Sequence, residues 1–352
     1  MIECARIVSR SHKMVHMSST TAGSAPSAPL PVTKAVVLAR GLGTRMRAAS
    51  PSPAGAPAVT DAAVEAGAKG MIDVGRPFLD YVVSALADAG ITRICLVIGP
   101  EHTMFREHFD SLAASGELAR VTVSYAVQAE PLGTADAVAA AEDFAAGDRV
   151  VVINSDNYYP VQALRQLVAL PGAGLIGFDR QALLARSNIP PDRIAAFAVL
   201  EQERDDQGRL LMRDIVEKPT ADQLASLGPQ APLSMNAWLF TPGIFAACRD
   251  VTPSARGEYE ITDAVRLDRS RGTEYQVVPR RRACWTCRAG TTSPRYGPPW
   301  RAWRCRCDPA AEHPDPGGGR PPPPGRRRGP GLPPGTPELP RHGRDLVRPR
   351  TH

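Results

Sequence analysis

The sequence lacks the features that mark membrane-bound and secreted proteins. It has no run of about 18 consecutive apolar residues, so no membrane-spanning helix is predicted. Residues 1–33 contain no apolar core of the kind that a secretory signal needs, and we expect them to form a disordered leader. Before residue 280, cysteine is limited to Cys4, Cys95 and Cys248, which stand singly, as is typical of proteins in a reducing cytoplasm. We therefore expect a cytoplasmic protein without a membrane partner.

Lysine is absent from the last fifth of the chain, although that region is strongly basic. Residues 280–352 contain 16 arginines and five acidic residues, a balance of +11, whereas the whole chain carries +6. Residues 1–279 therefore carry −5. Because nucleic acids bind basic surfaces, this mildly acidic main region gives no support for a nucleic-acid partner.

Residues 280–352 also lack helical or strand periodicity and hold 16 of the 35 prolines. One interpretation is a zinc site formed by four cysteines, which are Cys284, Cys287, Cys305 and Cys307. A second is a basic, Pro/Gly-rich disordered arm. We prefer a third, an out-of-frame translation. A one-nucleotide shift near the start of the region can encode Gly-Val-Leu-Asp-Leu-Ser-Ser-Arg, whose apolar pattern would continue a folded domain. This low-complexity Arg/Pro/Gly-rich region is therefore expected to be disordered.

Strand-like and helix-like segments alternate between residues 34 and 279, which predicts one α/β domain. The apolar pattern predicts strands at 34–39, 93–99, 121–127 and 149–154 and helices at 77–89, 102–114 and 134–145. Such alternation predicts a mostly parallel sheet, more irregular from 174 to 240, with helices on both faces. Ligands of such sheets bind at the carboxyl ends of the strands. The Ala/Pro-rich residues 48–68 are expected to be an insertion that closes over a bound anion, or else a plain linker.

A glycine-rich loop follows the first predicted strand. Residues 38–47 read Leu-Ala-Arg-Gly-Leu-Gly-Thr-Arg-Met-Arg. Glycine lets backbone N–H groups approach an anion without a Cβ in the way, and Arg45 and Arg47 supply positive charge. The loop is therefore a candidate polyphosphate site, although a plain strand–turn has the same pattern.

Five further segments follow this loop along the chain. They are 69–72 (KGMI), 128–137 (QAEPLGTADA), 154–157 (NSDN), 216–219 (VEKP) and 257–263 (GEYEITD). With these motifs, the chain from about Lys34 to about Pro279 resembles the sugar-1-phosphate nucleotidylyltransferase family. Its members join a nucleoside triphosphate to a sugar 1-phosphate and release pyrophosphate. The resemblance implies a Rossmann-like nucleotide-diphospho-sugar transferase fold. Arg40 departs from the pattern, because the family has a small residue at that position.

Asp156 and Asp263 are the candidate metal ligands. Asp156 closes an apolar strand, so its carboxylate is expected at the mouth of the sheet, although an Asx turn has the same pattern. Asp263 taken alone would be a helix-capping or solvated residue. The resemblance implies that the two carboxylates share a Mg²⁺ ion, which takes few protein carboxylates and keeps phosphate oxygens and water as its other ligands.

The resemblance also implies roles for residues of the other segments. Arg45 and Lys69 are the expected catalytic cations, which neutralise the triphosphate. The expected nucleotide-binding residues are Leu38, Ala39, Gly41, Gly43, Thr44, Gln128, Gly133 and Thr134. The expected sugar-phosphate-binding residues are Glu217, Lys218 and Asn236. Ordinary structural roles compete with some of these, since Thr134 can simply cap a helix and Glu217 with Lys218 can form an exposed turn.

These features predict a Mg²⁺-dependent enzyme whose partners are a nucleoside triphosphate and a sugar 1-phosphate. UTP or dTTP is favoured, because the side-chain amide of Gln128 matches the mixed donor and acceptor edge of a pyrimidine. Two alternatives stay open. One is a non-catalytic homologue that binds nucleotide sugars, and the other is a zinc- or nucleic-acid-binding protein that acts through residues 280–352. Assembly into a homo-oligomer is left open as well.

Overall fold

The computed structural model of this protein describes residues 30–41, 68–280 and 285–286. The described strands are β1 (Lys34–Leu38), β2 (Arg93–Ile98), β3 (Thr122–Val127), β4 (Val150–Asn154), β5 (Asn157–Tyr158), β6 (Gly174–Phe178), β7 (Val199–Arg204), β8 (Leu210–Val216), β9 (Leu233–Phe240), β10 (Gln276–Arg280) and β11 (Trp285–Thr286). The described helices are α1 (Phe78–Asp88), α2 (Thr103–Ala114), α3 (Thr134–Ala139), α4 (Glu142–Ala145), α5 (Val161–Val168), α6 (Arg180–Arg186), α7 (Pro191–Ala195), α8 (Ala221–Leu227), α9 (Gly243–Asp250) and α10 (Ile261–Ser270). A 3₁₀ turn covers Lys69–Met71.

One mixed sheet joins nine of these strands in the order β3-β2-β1-β4-β9-β6-β10-β8-β7. Strands β1 to β4 run parallel, with Leu38 level with Val97 of β2 and Asn154 of β4. β9 runs antiparallel to both β4 and β6, and β10 lies parallel to β6. β8 and β7 form an antiparallel pair at the far edge. The carboxyl ends of the parallel strands therefore meet at one edge of the sheet, where ligands of such folds bind.

Helices cover both faces of the sheet because each strand points alternate side chains to opposite faces. In β1, Ala35 and Val37 pack into one core with α1 and α2. Val36 packs into the other core with α3, α9 and α10. All three side chains are fully buried. Burial on both faces explains the continuous apolar sequence of this strand, since burying one valine side chain is worth about 1.5–3 kcal/mol.

β9 is the junction between the parallel and antiparallel parts of the sheet. Seven of its eight residues are buried, and Trp238 stacks on Phe240 with ring centroids 5.5 Å apart. Its pairing with β6 is irregular, because the partner changes from Trp238 at Leu175 to Ser234 at Gly177. β9 thus carries two extra residues at this point. Such bulges redirect side chains and are common next to functional sites.

Most of the elements predicted from the sequence are confirmed to within two residues. The predicted helix at 134–145 instead forms two helices, α3 and α4, that are separated at residues 140–141. The expectation of a mostly parallel sheet holds for β1 to β4 but not for the whole sheet. Residues 205–209 join β7 directly to β8, and so short a connection can only join antiparallel strands. None of the described helices is long and apolar enough to cross a membrane.

Two residues of the basic C-terminal region form a strand. β11 pairs antiparallel with β5, and Asn188 holds its main chain at Thr286. Asn188 Nδ2 donates to Thr286 O at 2.7 Å, and Thr286 N donates to Asn188 Oδ1 at 2.9 Å. Residues 30–33 of the predicted leader are described and lead into β1, with Val32 buried in the core and Leu30 O accepting from Arg149 Nη2 at 2.6 Å. Residues 1–29, the 48–67 part of the insertion and the rest of 281–352, with its zinc, disorder and reading-frame interpretations, lie outside the described residues and stay predictions.

Candidate active site

The ends of β1, β2 and β4 place the start of the glycine loop beside the turn that carries Asp156. Ala39 N donates to Val97 O at 2.9 Å, which continues the pairing of β1 with β2. Ser155 N donates to Leu38 O at 3.1 Å, which continues the pairing of β1 with β4. The two segments are therefore fixed next to each other by main-chain bonds, whatever their side chains are.

Part of the glycine loop lies outside the described residues. Gly41, which is partly buried, is the last residue described before the gap at 42–67. The predicted site residues Gly43, Thr44 and Arg45 fall in that gap, so their roles stay predictions.

Lys69 and Asp156 form an ion pair beyond the end of β4. Lys69 Nζ lies 3.6 Å from Asp156 Oδ2, and both side chains are about one-third exposed. Gly70 positions the lysine by packing closely against the aspartate turn, since a Cβ on Gly70 would lie 3.4 Å from Ser155 Cβ. An ion pair with this exposure is weak, so both charged groups remain able to exchange partners with a charged ligand.

The segment after β3 holds Gln128 in one orientation. Gln128 is 3% exposed, and its main-chain N–H donates to Ile98 O at 2.9 Å. Its Nε2 donates to Gly133 O at 2.9 Å and to Asp136 Oδ2 at 2.7 Å, so both amide hydrogens are engaged. Because a carbonyl and a carboxylate only accept hydrogen bonds, the amide nitrogen must face them. Within the described part of the chain, no hydrogen bond ends at Gln128 Oε1, and this acceptor is the atom left for a ligand.

Gly133 and Thr134 connect this segment to the start of α10. Gly133 has a φ of +126°, and a Cβ on it would lie 2.5 Å from Tyr259 O, so only glycine fits. Thr134 Oγ1 accepts a hydrogen bond from Ile261 N at 2.9 Å. Tyr259 N also donates to Leu132 O at 2.8 Å. Two motifs that are far apart in the sequence therefore form one structural unit.

Three carboxylates gather between the end of β8 and the start of α10. They belong to Glu217, Glu260 and Asp263. Loss of hydration on burial raises the pKa of Glu217, and the charge of Glu260 raises it further. The side chain of Glu217 keeps contact with solvent, so its dehydration is partial. Burial also raises the pKa of Glu260, although Arg256 opposes that effect. The mutual repulsion of the group favours a cationic or hydrogen-bond-donating ligand.

The two predicted metal ligands are held by different cations. Asp156 pairs with Lys69, whereas Asp263 Oδ1 lies 3.4 Å from Arg266 Nη1. Among the described residues, no group of three or more histidine, cysteine, aspartate or glutamate side chains forms a metal-binding cluster. Both aspartates are about one-third exposed. Since Mg²⁺ is commonly bound by one or two carboxylates together with substrate phosphates, the donor chemistry of this pair fits that ion.

Lys218 and Asn236 have backbone conformations that side-chain-bearing residues seldom adopt. Their φ angles are +45° and +55°. Asn236 lies in the bulge of β9, where its Oδ1 accepts from Trp238 Nε1 at 3.3 Å. Tyr159 ties the bulge to the segment after β4, since its hydroxyl donates to Met235 O at 2.5 Å. Positive φ values cost on the order of 1–3 kcal/mol and concentrate at ligand sites, which supports a binding role for both residues.

Sequence reasoning assigned no role to three residues that organise this edge. Arg40 is buried, donates to Gln128 O and lies 3.4 Å from Glu101. Asp136 fixes the amide of Gln128, and Tyr159 fixes the bulge of β9. Arg40 carried a sequence signal, namely its replacement of a small residue, and Asp136 lies within the 128–137 motif, although the motif does not show which residue it contacts. No motif singled out the role of Tyr159.

The fold and the charged groups at the strand ends define an α/β protein with a candidate ligand site at the carboxyl edge of its sheet. A family model described as nucleotidyl transferase matches residues 34–287, which is more than two thirds of the chain. The chain belongs to this nucleotidyl transferase family, as its sequence motifs predicted.

Curated relatives from archaea and bacteria are about 30% identical to this chain. One is the low-salt glycan biosynthesis nucleotidyltransferase Agl11 of Haloferax volcanii, at 31% identity over 66% of this chain and 56% of that protein. Another is the UTP–glucose-1-phosphate uridylyltransferase AglF of the same organism, at 30% identity over 66% and 82%. A glucose-1-phosphate thymidylyltransferase of Streptomyces griseus is 31% identical over 70% and 60%. The chain therefore spans little more than half the length of the first of these relatives.

Solved structures support the fold. A UDP-glucose pyrophosphorylase in complex with UDP-glucose superposes with a TM-score of 0.55 at 20% identity, covering 70% of this chain and 90% of that chain. A UDP-glucose pyrophosphorylase from Acinetobacter baumannii gives a TM-score of 0.53, also at 20% identity, over 73% and 88%. At this level of identity, the similarity describes the architecture alone.

Proposed function

We propose that this protein transfers a nucleoside monophosphate from UTP or dTTP to a sugar 1-phosphate and releases pyrophosphate. The observation that carries the proposal is the convergence of Lys69, Asp156 and the start of the glycine loop at the carboxyl end of β1. Relatives named as uridylyl- and thymidylyltransferases for glucose 1-phosphate support it. In this proposal β1 to β4 form a Rossmann-like nucleotide-binding half, and the strands from β9 to β7 form the sugar half.

The orientation of Gln128 favours uracil or thymine over cytosine or adenine. Uracil and thymine present a ring N–H between two carbonyls, and Gln128 Oε1 is free to accept from it because both amide hydrogens are engaged elsewhere. Cytosine and adenine present a lone pair at the equivalent ring nitrogen, which would face another acceptor. A buried polar group without a partner costs about 1–3 kcal/mol, so these bases should bind about 5-fold to 150-fold more weakly.

We propose that Lys69 and Arg45 neutralise the phosphates and that Asp156 and Asp263 hold a Mg²⁺ ion. A bound Mg²⁺ ion supplies positive charge against the phosphate oxygens. Leu38, Ala39, Gly41, Gly43 and Thr44 are proposed to present main-chain groups to the nucleotide. Gly133 and Thr134 are proposed to line the base pocket beside Gln128, because Gly133 leaves no side chain between the main chain and a ligand.

The sugar side of the proposed site uses Glu217, Lys218 and Asn236. Lys218 would bind the phosphate of the sugar 1-phosphate, and Glu217 would accept hydrogen bonds from sugar hydroxyls. The raised pKa of Glu217, which arises first from burial, is relieved when donors surround its carboxylate. Asn236 would contact the sugar ring from the bulge of β9.

The proposed reaction depends on positioning rather than on a covalent enzyme intermediate. An oxygen of the sugar phosphate attacks the α-phosphorus in line. The bond from that phosphorus to the bridging oxygen breaks, and pyrophosphate leaves with the electron pair. The attacking phosphate oxygen is already ionised near neutral pH, so the protein has to supply cations and orientation rather than a general base. In this scheme Lys69 neutralises the triphosphate and Lys218 the sugar phosphate, so that the two anions can approach each other.

Pyrophosphate release tests the proposal. The purified chain is incubated with Mg²⁺, one of UTP, dTTP, CTP, GTP or ATP, and one of a panel of sugar 1-phosphates. We expect release that requires a sugar 1-phosphate and is fastest with UTP or dTTP. Tight binding of a nucleotide sugar without pyrophosphate release from any pair would instead identify a non-catalytic homologue, to which the replacement at Arg40 points.

A further inference from the structure

Arg40 forms a bridge across the ends of three neighbouring strands. It follows β1, its side chain is 7% exposed, and its guanidinium donates to the main-chain carbonyl of Gln128, which follows β3. Its Nη2 lies 3.4 Å from Oε1 of Glu101, which follows β2. The hydrogen bond from the guanidinium to the Gln128 carbonyl is charge-assisted and therefore stronger than a neutral one, whereas the contact with Glu101 is an ion pair whose carboxylate is 51% exposed. The bridge therefore adds a side-chain link between the end of β1 and the segment after β3 to the main-chain pairing of the strands.

The turn after β2 presents Glu101 to this bridge. Gly99 N donates to His102 Nδ1 at 3.2 Å, which closes the turn. The Glu101 carboxylate folds over Gly99, since a Cβ at that glycine would lie 2.4 Å from it. The pKa of Glu101 lies below its ordinary value, first because its own main-chain N–H bonds the carboxylate and also because of the charge of Arg40. Glu101 is therefore an ionised partner for the guanidinium near neutral pH.

Gln128 is consequently held at three points. Its main-chain N–H donates to Ile98 O, Arg40 donates to its main-chain carbonyl, and Gly133 O and Asp136 fix its side-chain amide. The contact from Arg40 comes from the strand whose end begins the glycine loop. A movement of Arg40 would therefore shift the base-reading acceptor relative to the phosphate-binding segment, and shifts of about 1 Å in a catalytic arrangement can cost on the order of 100-fold in rate.

Resting on the function proposed above, we infer that Arg40 is a positioning residue that sets the discrimination between nucleobases. It holds Gln128 Oε1 at a fixed distance from the phosphates, so that a base with a ring N–H is accepted and a base with a lone pair at that position is rejected. This arginine acts through Gln128 and does not itself read the base.

Nucleotide binding and turnover of three variants test this inference. Arg40→Gly removes the bridge, Arg40→Lys keeps a cation that can reach one of the two acceptors, and Arg120→Gly removes an exposed arginine that pairs with Asp88 at 2.7 Å. Dissociation constants for UDP and CDP are measured by titration calorimetry, and KM and kcat are measured with UTP, CTP and glucose 1-phosphate. Thermal unfolding of each variant reports whether the fold is kept.

We expect Arg40→Gly to reduce the preference for UDP over CDP about tenfold, the size of one charge-assisted hydrogen bond. Its KM for UTP should rise, while its KM for glucose 1-phosphate stays unchanged. Arg40→Lys should recover part of the preference, and Arg120→Gly should keep all of it. If Arg40→Gly weakens the binding of UDP and of CDP equally, Arg40 is only a structural residue and the inference is wrong. The same conclusion follows if Arg40→Lys recovers the stability of the fold without recovering the preference for UDP over CDP.

The calorimetric measurement also separates this inference from the proposed function. A wild-type chain that prefers UDP over CDP but releases no pyrophosphate contradicts the proposed transfer reaction, and the response of Arg40→Gly still decides the inference. A wild-type chain that binds neither nucleotide contradicts both.

Discussion

The proposed base side and the proposed sugar side of this candidate site are built differently. On the base side, Gln128, Gly133 and Thr134 are held by hydrogen bonds to main-chain groups and to Asp136, and Gly133 packs against the main chain of Tyr259. On the sugar side, Lys218 and Asn236 have positive φ angles, and the pKa of Glu217 is raised by burial and by neighbouring carboxylates. The base side is held by hydrogen bonds that leave Gln128 Oε1 as its acceptor, whereas the sugar side combines positive φ angles with repelling carboxylates.

This difference follows from what each side would bind. A base is flat and neutral and is recognised by a few directional hydrogen bonds. Side chains that are already fixed in place therefore lose the least conformational freedom when the base binds. A sugar phosphate is charged and rich in hydroxyl groups, so its hydroxyls can donate to the carboxylates and its phosphate can pair with Lys218. We therefore expect substitutions on the base side to alter which nucleotide binds. Substitutions on the sugar side should alter the affinity for the second substrate.

The largest effect is expected at the boundary between the two sides. Asp156→Asn should lower kcat by about 100-fold or more, because one charged contact near the reacting phosphates is lost. The thermal unfolding temperature should change little, since the side chain is about one-third exposed. Asp206→Asn, at an exposed turn, serves as the matched control and should keep wild-type turnover. Near-wild-type kcat for Asp156→Asn at saturating Mg²⁺ would remove this residue from the proposed site.

A glycine substitution tests how rigid the base side is. Gly133→Ala should destabilise the fold by about 1–3 kcal/mol and raise KM for UTP, because its Cβ has no room beside Tyr259 and its φ is positive. Gly147→Ala is the control, since Gly147 has a φ of +79° but nothing within 4 Å of the added Cβ. If urea unfolding shows the same loss for both variants, the contact with Tyr259 contributes nothing and the base side is less rigid than described.

A lysine substitution tests the sugar side alone. Lys218→Ala keeps a side-chain-bearing residue at a φ of +45°, so it removes the charge without changing the backbone requirement. We expect KM for the sugar 1-phosphate to rise about tenfold, which is the effect of losing one hydrogen bond to a charged group. KM for UTP should stay within twofold of the wild-type value. Lys218→Arg should keep most of the affinity. An equal rise in both KM values would show that Lys218 does not distinguish the two sides.

The smallest effect is a pH dependence of stability from Glu217. Because its pKa is raised in the folded state, folding is favoured while the group is protonated, below the ordinary carboxyl pKa. That contribution is lost as the pH rises through the raised pKa. Glu217→Gln should therefore be more stable than the wild type near pH 7 and equally stable near pH 4, as measured by urea unfolding. A stability difference that does not vary with pH would contradict the assigned cause.

The parallel part of the sheet could be predicted from the sequence because its strands are short, apolar and separated by amphipathic helices. The antiparallel part could not, since β7 and β8 carry mixed apolar and charged residues, and the pairing of these strands with each other and with β9 depends on contacts across the sheet. Helix 134–145 was predicted as one element because its alanines have high helix propensity, which gives no signal for the break at residues 140–141.

The placement of the proposed site residues could be predicted where a motif is local, but not where it depends on packing. Lys69 and Asp156 each belong to a recognisable motif, and Lys69 Nζ lies 3.6 Å from Asp156 Oδ2. The requirement for glycine at position 133 comes from Tyr259, which a one-dimensional pattern does not reveal. The bridge from Arg40 to Gln128 joins residues from two strand ends, so the sequence showed only that an arginine stands at an unusual position.

The central claim is that this chain transfers a nucleoside monophosphate to a sugar 1-phosphate. The most direct measurement uses UTP that carries radioactive phosphorus at the α-position, together with unlabelled glucose 1-phosphate, Mg²⁺ and the purified chain. We expect the α-label to appear in a nucleotide sugar. We expect UTP labelled at the γ-position to yield labelled pyrophosphate only, and Asp156→Asn to lose both signals. Label that stays in UTP with every sugar 1-phosphate tried, or that appears only in UMP, would contradict the proposed transfer.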